Sequence, residues 1–146
     1  MQRRILSLLV GIAFVGVLAA TGAWAGSPHF VGAVIATRTD DSLCVSGKEA
    51  GLGDEDQVDI VVSATALCIN PGDHHPKATN KESVSAEGQF PVQNGKAEFP
   101  GDLPPLCVTA TFQPECSPPM TVEFTDVRVC DISQDPDLCV SLPGTF

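Results

Sequence analysis

Apolar and polar residues alternate along the segment 57–69 with a strict period of two. One face of this segment carries Val58, Ile60, Val62, Ala64 and Ala66. Successive side chains of a β-strand point to opposite faces, so the alternation predicts a strand with one buried face. The other face mixes polar and apolar residues, and we expect it to be only partly exposed to solvent.

Six further segments have the residue types and the flanking turn signals of strands. The seven predicted strands are 30–37, 42–48, 57–69, 83–89, 96–99, 106–112 and 120–132. No segment beyond residue 25 shows a sustained helical period, and twelve prolines and thirteen glycines in the chain disfavour long helices. The pattern predicts an all-β fold, an immunoglobulin-like antiparallel β-sandwich of about seven strands.

Two local features refine this fold. In the segment 120–132, Val122 and Phe124 share one face whereas Val127 and Val129 have the other parity. A β-bulge near Thr125-Asp126 would return all four side chains to one inward row. Separately, Asn94-Gly95 favours the positive φ angles of a type I′ hairpin turn, with an ordinary loop as the alternative.

The first 25 residues have the organisation of an export signal. Arg3 and Arg4 precede an apolar run over 5–20, and Ala23-Trp24-Ala25 has the small-x-small pattern of a cleavage site. A retained membrane anchor is the alternative, but the apolar run is shorter than the roughly twenty residues of a stable span. We expect cleavage after residue 25 and a single secreted domain over 26–146, without a membrane span.

Removing the signal makes the chain more acidic. The net charge changes from −10 to −12 because Arg3 and Arg4 are lost, and the remaining basic residues are scattered. Such a surface repels phosphate backbones, so nucleic acid is not an expected partner. The 121 residues that remain of 146 suffice for one hydrophobic core.

All six cysteines lie beyond residue 43, downstream of the signal. In an exported chain this predicts a disulfide framework, although six cysteines allow fifteen pairings. Cys130 and Cys139 flank a turn-forming segment, which favours a local bridge between them. No Cys-x-x-Cys pair occurs, so a thiolate zinc site is disfavoured, and no metal or cofactor is predicted.

Three polar motifs could be read either as functional sites or as ordinary polar turns and loops. Asp73-His74-His75 could supply metal ligands, but adjacent histidines in a loop usually point in different directions. Residues 131–137, with Asp131, Ser133, Asp135 and Asp137, resemble the start of a calcium loop; Pro136 replaces the required glycine and Leu142 the bidentate acid. We interpret both as polar turns, the second with room for a weak cation, and Asp54-Glu55-Asp56 as a solvated loop.

Catalysis is hard to assemble from these residues. There is no Gly-x-Ser-x-Gly elbow, and histidines occur only at positions 29, 74 and 75. Oxidised cysteines are not nucleophiles. We therefore predict that the protein is not an enzyme and has no catalytic residues, with a secreted hydrolase as a remote alternative.

Binding is the favoured class of function. The long polar loop between the third and fourth predicted strands concentrates basic and amide side chains in an acidic chain, namely Asn70, His74, His75, Lys77, Asn80 and Lys81. Loops at the end of a sandwich are common binding surfaces, and an unspecialised loop is the alternative. The expected partner is an extracellular protein or a small molecule, and the expected state is a monomer. A small-molecule carrier of the neocarzinostatin-apoprotein type is an alternative on architecture alone.

Three segments also resemble a family of small exported bacterial proteins of unknown function. They are residues 45–53, with Lys48-Glu49-Ala50-Gly51-Leu52-Gly53, residues 66–72, with Cys68-Ile69-Asn70-Pro71-Gly72, and residues 75–81, with His75-Pro76-Lys77-Ala78-Thr79-Asn80-Lys81. The resemblance implies export and a β-sandwich, and no activity. It also implies that Cys68 pairs with Cys116. Cys44 with Cys107 then remains by elimination, in competition with a Cys107 to Cys116 bridge.

Overall fold

A computed structural model describes residues 26–72, 80–113 and 115–146 of the chain. All regular elements of these described residues are β-strands, and every pairing between them is antiparallel. The nine strands are β1 (His29–Phe30), β2 (Ile35–Thr39), β3 (Ser42–Ala50), β4 (Gln57–Ile69), β5 (Lys81–Gln93), β6 (Lys96–Phe99), β7 (Leu106–Thr109), β8 (Thr121–Asp131) and β9 (Leu138–Leu142).

The strands form two layers that are joined through β5. In the first layer, β3 is central: its first half pairs with β2 and β7, and its second half pairs with β1 and β6. The second layer has the order β5-β4-β8-β9. β5 pairs with β4 as far as Pro91, and then Val92 and Gln93 pair with β6 of the first layer.

The hydrophobic core lies between the layers and consists of the inward rows of the strands. β4 contributes the row that the sequence predicts, together with Cys68, and β3, β6, β7 and β8 add their own buried residues. The Phe99 ring packs edge-on to Phe30, with ring centroids 6.1 Å apart, and also contacts Phe90. Gly47 lies under this ring, because a Cβ at that position would be 2.5 Å from Phe99 Cζ.

The predicted all-β sandwich is confirmed, as are both local features. Ser63 of β4 pairs with Arg128 of β8 but Thr65 pairs with Thr125, so β8 has one extra residue here, and Asp126 has a φ of 53°. This bulge places Val122, Phe124, Val127 and Val129 in one buried row. In the β5-β6 hairpin, Asn94 and Gly95 have φ angles of 54° and 69°, as a type I′ turn requires.

The described ranges form nine strands rather than about seven. The predicted strand 30–37 is two short strands, because the chain leaves β3 after Val31 and Gly32 adopts a φ of 70°. The second difference is β9, which has no predicted counterpart and pairs with β8 from Val127 to Asp131. Its five residues follow the turn at 132–137 and lie at the edge of the second layer.

Three disulfides join Cys44 to Cys107, Cys68 to Cys116 and Cys130 to Cys139, and no cysteine is free. These are the three pairs that the sequence and the family resemblance favour. Cys44-Cys107 and Cys130-Cys139 each link directly paired residues of neighbouring strands. This complete oxidation indicates an extracellular or otherwise oxidising environment. Within the described ranges, no helix has the length and hydropathy needed to span a bilayer.

The disulfides should differ in their contribution to stability. Cys44 and Cys107 are separated by 63 residues and Cys130 and Cys139 by 9, so the first bridge restricts the unfolded chain more. We expect the free energy of unfolding to fall by about 4 kcal/mol in C44A/C107A and by about 2.5 kcal/mol in C130A/C139A. Urea denaturation of the two double variants measures both values. A larger loss in C130A/C139A would contradict this ranking.

Candidate functional site

The predicted binding loop lies where β4 ends and β5 begins. Asn70 is exposed just after β4, and Asn80 and the exposed Lys81 lie at the start of β5. The three residues therefore form the base of the loop, since Leu67 pairs directly with Lys81. His74, His75 and Lys77 lie outside the described residues. A binding site in this loop stays a prediction.

The two acidic motifs meet at the opposite end of the sandwich. Asp54 and Asp56 are exposed, as predicted, but Glu55 is half-buried. The side-chain amide of Gln134 donates hydrogen bonds to both Glu55 carboxylate oxygens, at 3.2 and 3.1 Å. The loop 51–56 is thus held against the turn 132–137, and the interpretation of Glu55 as simply solvated is wrong.

The turn that resembles a calcium loop does not gather its acids around one centre. Asp131 is fully buried, whereas Asp135 and Asp137 are exposed. Asp131 Oδ1 accepts hydrogen bonds from the backbone amide and the hydroxyl of Ser133, which close a local turn. In the described part of the chain, no group of three or more His, Cys, Asp or Glu side chains is arranged to hold a metal ion.

A second buried acid faces Asp131 from the other layer. Glu49 continues the inward row of β3 after Leu43, Val45 and Gly47, and its side chain has no exposed surface. Among the described residues, no N–H or O–H group donates to either Glu49 oxygen or to Asp131 Oδ2. The Asp131 carboxyl is within hydrogen-bonding reach of Glu49. Two carboxyl groups can hydrogen-bond to each other only when one of them carries a proton.

This environment changes the acidity of Glu49. Burial, then the nearby Asp131 carboxyl and then Glu55 raise the pKa of Glu49 from an ordinary 4.5 to about 8. The group is therefore mostly protonated at neutral pH and can donate a hydrogen bond to Asp131. The sequence did not identify this pair, although Glu49 and Asp131 both have the inward parity of their strands. That parity is the one sequence signal that points to them.

A shallow groove lies on the outer surface of the first layer. It has a volume of about 370 Å³ and is lined by the irregular segment between β1 and β2, by β3 and by the turn after β6. Val31 and Ile35 line it with 46% and 56% of their surface exposed. Leu103 is 41% exposed and lies on the turn that starts at Pro100. The backbone amide of Leu103 donates a hydrogen bond to the Pro100 carbonyl. A Lys48-Glu98 ion pair neutralises the charges that border the groove.

The two arrangements differ in what they can do chemically. Glu49 and Asp131 hold no exposed surface, so a substrate in solution cannot reach them. The groove is open and carries exposed apolar side chains, which can contact a partner. Comparison with known proteins finds no family model, no curated protein and no solved structure that matches the chain. The resemblance to small exported proteins therefore stays a prediction.

The raised pKa of Glu49 predicts a pH-dependent stability. Between pH 4.5 and about 8 the folded chain keeps a proton that the unfolded chain has lost, so stability falls as the pH rises through this window. The loss from this group is up to about 1.4 kcal/mol per pH unit. Glu49→Gln mimics the protonated side chain and should remove this part of the slope, which makes the variant more stable than the wild type at pH 9.

Urea denaturation at pH 5, 7 and 9 measures the effect. Glu98→Gln is the control, because Glu98 is exposed and pairs with Lys48 on the outer surface. Its slope should match that of the wild type. A wild type and a Glu49→Gln variant with parallel pH profiles would contradict the assignment.

Proposed function

We propose that the protein is an exported, monomeric, non-catalytic interaction domain that binds an extracellular partner through the groove beside β2. The proposal includes removal of the export signal 1–25, which would leave an acidic domain in an oxidising space. Three disulfides and the absence of free cysteines are in keeping with such a location.

The exposed apolar side chains around the groove carry this proposal. Val31 and Ile35 line the groove, and they are two of the four large apolar side chains that are exposed in the described chain. Contiguous apolar surface on a soluble domain is typical of a site for protein interaction. The groove also adjoins an irregular segment of edge strand, where residues 32–34 form no regular pairing with β3.

The other classes have less support. A small-molecule carrier needs an apolar cleft between the layers, but that space is occupied by the buried rows of β3, β4, β6, β7 and β8. A hydrolase that uses paired acids needs them in contact with its substrate. The acids that face each other here, Glu49 and Asp131, have no exposed surface. A partner that binds the loop 70–81 is the remaining alternative.

Site-specific photocrosslinking tests the proposal. A photoreactive residue at Ile35 should yield a defined adduct with a partner when the protein is secreted by its natural producer. A photoreactive residue at Glu87, an exposed position on β5, is the matched control and should yield none. Val31→Ser should weaken binding of the purified partner about fivefold, because about 1 kcal/mol of apolar burial is lost.

Two results would contradict the groove as the binding site. One is an adduct that forms equally from positions 35 and 87. The other is an adduct that forms only from a photoreactive residue at Lys77, which would place binding in the loop 70–81 instead.

A further inference from the structure

The segment 26–34 is attached to the sandwich mainly along the strand end that carries Glu49. β1 has two paired residues: His29 pairs with Ala50, and Phe30 pairs with Glu49 itself. The amide of Val31 then donates a hydrogen bond to the Lys48 carbonyl at 2.8 Å. Upstream, the chain crosses Gly51 so closely that a Cβ there would lie 2.2 Å from the Ser27 carbonyl oxygen. The segment is thus held beside residues 48–51, next to Glu49.

The two sides of the carboxyl pair differ in how firmly they are held. Asp131 follows Cys130, which is bridged to Cys139, and it pairs with Ile60 on one side and Leu138 on the other. Glu49 is one residue from the end of β3, and the loop beyond it contains Gly51 and Gly53, both with positive φ. Repulsion between the two groups would therefore displace the Glu49 side first.

We propose that Glu49 and Asp131 form a pH-operated latch, in which a shared proton keeps the segment 26–34 and the loop 51–56 seated on the sandwich. Loss of that proton leaves two adjacent negative charges in the interior, where, among the described residues, both Glu49 oxygens and Asp131 Oδ2 lack a donor and only Asp131 Oδ1 is hydrogen-bonded, to Ser133. Opening of β1 and of the loop admits water to Glu49 and relieves this cost. Below the titration range the latch is closed, and above it the latch opens.

In the part of the chain that the structure describes, the charged groups around Glu49 include no positive partner for the pair. Asp131 faces it from β8, and Glu55 adds a further negative charge from the loop 51–56. His29 on β1 is exposed, and its Nδ1 lies 2.7 Å from the Ser27 carbonyl oxygen. Lys48 and Lys96 are exposed on β3 and β6, and Lys48 is paired with Glu98. We therefore assign the change in charge with pH near Glu49 to the carboxyl pair. The experiment includes a His29 variant as a control for titration of the nearby imidazole.

Opening of the latch would also change the groove. This consequence rests on the proposed function, whereas the latch itself does not. Val31 and Ala33 belong to the released segment and line the groove together with Lys48. Release of the segment would take one wall of the groove away. Partner binding would then weaken at alkaline pH in parallel with the opening of β1.

Hydrogen exchange of the full-length secreted protein tests the latch without any knowledge of the partner. After correction for intrinsic exchange rates, protection of residues 27–34 and 51–56 should fall by up to about tenfold per pH unit between pH 6 and 8. Residues 121–131 should keep their protection. Glu49→Gln should make the protection of residues 27–34 independent of pH, and Asp131→Asn should reduce its pH dependence. His29→Asn, and Glu87→Gln at an exposed position on β5, should behave as the wild type.

Four outcomes would overturn the latch. They are protection of residues 27–34 that does not change with pH, a fall that persists in Glu49→Gln, a fall that disappears in His29→Asn, and equal loss of protection over 121–131. If Glu49→Gln does not fold, the wild type, Asp131→Asn and His29→Asn still decide the question. If calcium chloride restores protection at pH 9 in the wild type but not in Asp131→Asn, the pair is a cation site and the proton latch is overturned.

Discussion

Burial of apolar rows between two layers is the constraint on which the structure depends, because no disulfide joins a strand of one layer to a strand of the other. Cys44-Cys107 lies within the first layer and Cys130-Cys139 within the second, while Cys116 belongs to the segment that connects β7 to β8. The layers are held together by packing and by β5, which pairs with both. Any polar group in the interlayer space therefore acts on the interaction that maintains the fold.

Local sequence rules predict the parts of this fold that depend on local chemistry. The alternation in β4, the parity change in β8 and the Asn94-Gly95 turn each appear in the structure where the sequence places them. The sequence misses the departure of the chain from β3 at Gly32 and the short strand β9, which pairs with β8 across the turn 132–137. Neither leaves a periodic signal of its own, because the segments are short.

The acidic end shows why a site is harder to predict than a strand. Asp131 resembles the first ligand of a calcium loop when the sequence is considered locally, yet in the fold it is the last inward residue of β8. Glu49 belongs to a polar segment, and a charged side chain is normally assigned to the surface. The pairing of β3 with β1 and β6, and of β8 with β4 and β9, places both acids in inward rows that face the same interior. The proximity of the two acids arises from the tertiary structure, and neither segment predicts it alone.

The first and the last described segments are anchored unequally, and this has a mechanical consequence. The segment that begins at residue 26 is held by a strand of two residues, whereas the last strand is paired over five residues and bridged to β8 by Cys130-Cys139. Tension applied between residues 26 and 146 would peel β1 away before it disturbed β9. An attachment at residue 26 would thus extend under load, because β1 separates first. An attachment at residue 146 would transmit load directly to the second layer.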